Sequence, residues 1–301
     1  MEKKNLSRIG FALAVTCVLF DLVGFILGFT LSGFIDRGII TAETANIVSI
    51  VISPFITLLC LFVFSLITRN IKSIKVTKSK ITVSKLIPLI FCGLGLIYIG
   101  NLLTRLVMWA VDFIINGKMD IGNQMSETMQ DLPIPVIFLF VAVAAPIFEE
   151  LFFRKVLLDK LRPYGYKTAV ALSALSFGLF HRNFEQAFYA FCVGIILGAI
   201  AYKTGDIRYT IIIHMIVNIM GSVVPLIVME GSTIAVGIYG LFAIVLMIST
   251  IIVFIVAGRK YLKIKPWEEV HNVSTKTAFA NPGFIVLYVL VLAMCIYALY
   301  K

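Results

Sequence analysis

Three short fragments set ionisable or amide-bearing side chains where they are costly: Glu149-Glu150-x-x-x-Arg154, Phe177-x-x-x-His181 and His214-x-x-x-Asn218. Each lies in or at the edge of a stretch apolar enough to cross a membrane. A titratable group in such a stretch faces a protein interior or a water-filled cavity and by default serves a function. Together the fragments supply a carboxylate pair, two of the chain's 3 histidines and a primary amide. A base, two imidazoles and an amide donor are about what hydrolysis at a carbonyl requires.

Spacing divides the labour between these groups. Pro146 lacks an amide hydrogen and crowds the preceding turn, which predicts a kink or break just before the acids. Glu150 and Arg154 are four residues apart and share a helical face, so Arg154 is expected to neutralise Glu150. Glu149 is rotated by ~100° from its neighbour and is expected to point into a cavity. The competing reading has both acids capping a helix end near the lipid headgroups. Taken singly, His181 beside Phe177 reads as a satisfied interior histidine. His214 and Asn218, on one face of a long apolar span, read as an interhelical hydrogen-bonding pair. The chemistry rests on the set.

The elements that must position this set are membrane helices. The chain is 60% hydrophobic and 14% charged, against about 25% charged for soluble domains. Apolar runs of the length needed to span ~30 Å of hydrocarbon predict crossings near 9–34, 47–68, 86–115, 134–157, 168–182, 186–203, 207–228, 233–257 and 280–299. The fold class expected is an all-α polytopic membrane protein of about 8–9 transmembrane helices around a catalytic helix-bundle core. Residues 1–133 read as N-terminal transmembrane helices, 134–228 as the core and 229–301 as C-terminal helices of one membrane domain.

The net charge of +10 sorts by side rather than marking a nucleic-acid footprint. With the N-terminus in the cytoplasm and nine crossings, most of the 26 Lys and Arg residues fall on the cytoplasmic side. Only Arg37, Lys118, Arg182 and Lys301 fall opposite, with Arg105 inside a span. This is the positive-inside pattern, and it favours an odd number of spans in a cell membrane. The lipid bilayer is one expected partner; nucleic acid is not. The first span is too long for a cleaved signal and reads as a retained anchor. Cys17, Cys60, Cys92, Cys192 and Cys295 are scattered singly, with neither metal-ligand nor disulfide spacing. Three stretches read as extramembrane: basic 69–85, acidic 117–133 with Asp120, Glu127 and Asp131 against Lys118, and 258–279 with Pro266, Trp267, Glu268, Glu269 and His271. Asn101, Arg105 and Asp112 share a face of the third span. A polar interhelical seam is the expected reading there, with a substrate-lining face as the alternative.

The ordered trio Glu-Glu-x-x-x-Arg, Phe-x-x-x-His, His-x-x-x-Asn on successive spans resembles the CPBP family, the CAAX-prenyl-protease-like and bacteriocin-processing intramembrane proteases also called Abi proteins. The resemblance covers about 149–218, within a core of 134–228. It implies Glu149 as the catalytic acid that activates water, with His181 and His214 positioning the water directly or through a metal. It implies Asn218 as oxyanion donor, with Glu150, Arg154 and Phe177 supporting the site. Glu149, His181 and His214 would be the ligands if a zinc ion is bound, since two histidines and a carboxylate leave one position for water. A metal-independent glutamate mechanism is the equal alternative. Helical rise sets Glu149 and His214 each ~10 Å from the cytoplasmic end of their spans, and His181 ~20 Å. The expected function is an intramembrane endopeptidase acting on a membrane-associated peptide or protein substrate, prenylated or leader-bearing, near the cytoplasmic face. A non-catalytic bacteriocin-immunity or scaffold protein is the alternative. A proton-coupled transporter is disfavoured by the lack of paired broken helices.

Overall fold

The computed structural model describes residues 2–74, 76–114, 129, 132–262 and 273–299. Lys75, the charged residues Lys118, Asp120, Glu127 and Asp131 of the acidic stretch, and the segment with Pro266, Trp267, Glu268, Glu269 and His271 lie outside the described residues. Among the described residues the chain is helical and holds no strand. Helices α1 (Glu2–Asp36), α2 (Ala42–Ile67) and α3 (Val83–Ile114) precede α4 (Ile134–Tyr164). Then follow α5 (Tyr166–Leu179), α6 (Phe184–Thr204), α7 (Arg208–Met229), α8 (Thr233–Leu262), short α9 (Thr275–Phe279) and α10 (Pro282–Leu299).

Seven of these are long and apolar enough to cross a membrane: α1 to α4 and α6 to α8. The polytopic all-α architecture is therefore what the structure shows. Two of the expected crossings are shorter. Helix α5 has 14 residues, or ~21 Å at helical rise, and the apolar part of α10 is Pro282–Tyr297. The outer faces are what lipid contact requires: α8 exposes Ile234, Ile238, Leu241, Ile248 and Ile252.

The core α4–α7 lies between two flanking groups. On one side α1 packs against α2 and α10; on the other α3 packs against α6 and α8. Small residues permit the closest approaches. A Cβ on Gly10 would run into the backbone of Gly283 and Phe284, and one on Gly283 into the Ser7 carbonyl. Any larger residue at either place would push α1 and α10 apart.

Charged groups lock the ends of the core helices at the basic face. Arg162 donates through Nε to Asp159 at 2.9 Å and through both terminal nitrogens to the carbonyls of Tyr202 and Ala201 at 2.8 and 2.9 Å. Lys160 donates to the Thr68 carbonyl at 2.9 Å. These cations add donors to carbonyls at the C-terminal ends of α6 and α2, where the helix dipole also favours positive charge. Asn183 caps α6 by accepting from the Gln186 amide at 2.7 Å, and Gly205 ends it in the left-handed conformation.

Candidate active site

Helix α4 carries the acids and runs through Pro146 without a break. It passes through π-helical turns at Ile137–Ala144 and Leu151–Leu157 with a six-residue α segment, Ala145–Glu150, between them. In the first π turn the Ala145 amide bonds the Phe140 carbonyl, five residues back. Continuing that register, residue 146 would serve Val141, but proline has no hydrogen to give. Asn218 on α7 donates its Nδ2 to the Val141 carbonyl instead, at 2.9 Å. At the proline the helix carries a π turn and a borrowed side-chain donor.

The adjacent acids take different surroundings. The side chain of Glu150 is 0% exposed and 3.4 Å from Arg154 Nε, itself 0% exposed. Glu150 Oε1 also lies 3.0 Å from His214 Nδ1. The Glu149 side chain is 24% exposed, and its Oε2 stands 3.5 Å from His214 Nε2. His214 thus lies between both carboxylates. The carboxylate of Glu150 can only accept, so the bond to Nδ1 needs a hydrogen there, which leaves the Nε2 lone pair facing Glu149 in the neutral ring. An ion pair this deep needs its partner: one charge alone would cost several kcal/mol.

Phe177 organises the remainder. Its ring meets His181 and His214 edge-on, with centroids 5.1 and 5.4 Å away, and the Arg154 guanidinium lies 4.4 Å from its centroid. Arg154 has no hydrogen-bonded nitrogen among the described residues, so this ring, the Phe153 ring at 5.8 Å and the Glu150 charge are its partners. His181 Nδ1 lies 3.0 Å from the Phe177 carbonyl. A carbonyl only accepts, so Nδ1 carries the hydrogen and Nε2 is again a lone pair in the neutral ring.

A cavity of about 790 Å³ takes in Glu149, His181, His214 and Asn218. The structure brings Glu149, Glu150, Arg154 and His214 into one contact group. His181 and Asn218 line the same cavity without hydrogen bonds or ion pairs to that group. Glu150 and Arg154 sit behind the cavity wall. Helix α4 continues to Tyr164, beyond the expected end near 157, and Glu149 stands at its midpoint, ~22 Å from Tyr164, while His181 is ~22 Å from the start of α5 by the same rise.

Sequence reasoning missed one feature: Asp21 of α1 and Arg182 form an ion pair at 2.9 Å immediately after His181. Asn101 and Arg105 line the cavity, as the alternative reading of their shared helical face had it. As for a metal, among the described residues no group of three His, Cys, Asp or Glu could hold an ion. Glu149 and His214 approach each other, but His181 does not complete their set, so these residues do not fit a three-ligand zinc site.

Residues 131–220 match the family model described as type II CAAX prenyl endopeptidase Rce1-like. The membrane-embedded CAAX protease MroQ of Staphylococcus aureus (strain USA300) is 28% identical over 170 residues, 51% of this chain and 66% of that protein. The chain therefore spans just under two thirds of that relative's length. No solved structure matches the chain.

Proposed function

We propose, from the premise that residues 131–220 form an Rce1-like core of the CPBP family, that this membrane protein is an intramembrane endopeptidase using glutamate-activated water. The observation that carries the reading is the pair of unlike acids on His214: Glu150 buried with Arg154, Glu149 turned to the cavity. One carboxylate fixes the imidazole and the other is free to take a proton.

In this mechanism a water donates one hydrogen to the Glu149 carboxylate and the other to an imidazole Nε2. Its lone pair is then turned to the scissile carbonyl. Glu149 takes the proton as oxygen attacks carbon, and returns it to the leaving nitrogen as the carbon–nitrogen bond breaks. Both neutral imidazoles present acceptors, so the oxyanion needs another donor. The second amide hydrogen of Asn218, the one not held by Val141, suits that role. Phe177 keeps the imidazoles apart and Arg154 pairs with Glu150.

The reading is metal-independent, because the donor set lacks a third ligand. Cleavage should survive 1,10-phenanthroline; its loss with recovery on adding zinc would overturn this part. The positive-inside pattern supports a cell-membrane protein with its N-terminus and the Lys160–Arg162 face in the cytoplasm. The substrate class is a membrane-associated peptide. The likeness to a CAAX prenyl endopeptidase family and to a CAAX protease makes a prenylated C-terminus one candidate. The deciding experiment compares peptide termini in membranes of cells expressing the native chain or Glu149→Ala at equal levels. Termini present only with the native chain are expected. Identical termini would move the reading to a non-catalytic immunity or scaffold protein.

A further inference from the structure

The cavity is longer than hydrolysis needs. From Glu149 and His214 it extends away from the basic face, reaching Asn101 and Arg105 of α3 and Met229 and Val236 beside the α7–α8 turn. None of the lysines and arginines of the basic face lines it. Among the described residues its cations besides the histidines are Arg105 and Arg182. Arg182 is neutralised by Asp21 at 2.9 Å and lies over the Phe20 ring at 4.2 Å. Arg105 has neither an ion-pair nor a hydrogen-bond partner among the described residues, and the same holds for the amide of Asn101 one turn before it. Ile97, Leu226 and Val236 add apolar surface to the cavity lining.

An unpaired guanidinium in a membrane-spanning helix, facing a cavity rather than lipid alone, calls for an anion. Its planar fork matches a carboxylate, and a neighbouring amide adds a further donor. Four residues along α3 set the two groups on one face. We propose that Arg105 and Asn101 form an anchoring subsite for a carboxylate of the substrate peptide, at the end of the cavity away from the basic face. This deepens the peptidase reading and rests on it for the identity of the ligand as a peptide. The subsite would hold an acidic side chain or chain terminus while the apolar remainder runs along the cavity to Glu149. It also sets the approach: the acidic end of the peptide enters from the side opposite Lys160 and Arg162.

The test uses the full-length Glu149→Gln protein in phosphatidylcholine nanodiscs. The probes are two neutral-fluorophore-labelled, leucine-rich peptides that differ only in ending in a free carboxylate or an amide. Binding is read by anisotropy. The acid should bind about tenfold tighter, the size of one charge-assisted hydrogen bond. That preference should vanish in Arg105→Gln and persist in Arg105→Lys, with thermal midpoints confirming that each variant is folded. Equal binding of the two peptides, or a preference that survives Arg105→Gln, overturns the subsite. Loss of the preference on adding phosphatidylglycerol makes Arg105 a lipid-phosphate contact and also overturns it. Cleavage of both peptides at equal rates by the native chain would keep the peptidase and remove the subsite. An Arg105-dependent preference with neither peptide cleaved would keep the subsite and count against the peptidase.

Discussion

Asn218 gives its amide to the one carbonyl that Pro146 cannot serve, that of Val141, at 2.9 Å. The two residues are therefore coupled through a group that belongs to neither. Asn218→Ala should cost ~1 kcal/mol by leaving that carbonyl without a donor. In a Pro146→Ala background the new amide hydrogen can take Val141, so the cost should shrink toward zero. A four-protein unfolding cycle in detergent measures the coupling. An equal cost in both backgrounds would show that the proline does not create the need for Asn218.

Glu149 and Glu150 should fail differently. Glu149→Gln should fold normally and abolish cleavage, since its side chain is partly exposed in the cavity and the proton has nowhere else to go. Glu150→Gln leaves Arg154 as a fully buried cation without an anion, a loss of about 3–5 kcal/mol. Its yield and thermal midpoint should drop sharply, and adding Arg154→Met should recover much of both. A Glu150→Gln protein of native stability that merely turns over slowly would make Glu150 a participant in the chemistry rather than a support.

What could be read ahead of the structure follows from range. Helix type, span order and the Glu150–Arg154 pairing depend on apolar run length and on residues four apart, and both are written locally. The meeting of three fragments at one cavity was legible only as a set, because no single fragment outweighs its ordinary packing explanation. The Asp21–Arg182 pair was not legible. It joins α1 to the α5–α6 turn across most of the chain's first two thirds, and no spacing rule links such positions. The π turns were equally hidden, since Pro146 announces a missing donor but not that Asn218 would replace it. The end of α4 was placed too early because the charged residues Lys155 to Arg162 suggested a finished helix. In the fold Lys160 and Arg162 bind carbonyls of neighbouring helices, Lys155 pairs with Asp159, and the helix continues to Tyr164.

Arg182 adopts a left-handed backbone, with φ of 52°, a conformation costing a side-chain-bearing residue ~1–2 kcal/mol. The Asp21 ion pair and the Phe20 ring hold it there, and His181 is the adjoining residue. Asp21→Asn should therefore lower kcat about tenfold with little change in KM, because a loosened imidazole weakens the transition state more than peptide binding. Arg182→Gly removes the backbone cost and the anchor together, so it should show the same kcat loss with a smaller loss of stability than Arg182→Ala. Asp21→Glu should restore part of the rate. Unchanged kcat in Asp21→Asn would reduce the pair to a structural tie between α1 and the turn.

Asp206 offers a test by pH outside the membrane-spanning segments. Its side chain is 3% exposed, accepts from Arg208 Nε at 3.0 Å and the Arg208 amide at 3.1 Å, and lies 3.9 Å from Lys78. Arg208, foremost, holds the carboxyl below its usual 3.8. The unfolded chain therefore binds the proton more tightly, so stability from this group is present above the unfolded value and is lost as pH falls through the folded one. Thermal midpoints of the native chain and Asp206→Asn should differ at about pH 6 and converge as the pH is taken well below 3.8. A gap that stays constant across that range would mean the α6–α7 turn is held by hydrogen-bond geometry alone, with no contribution from the charge of Asp206.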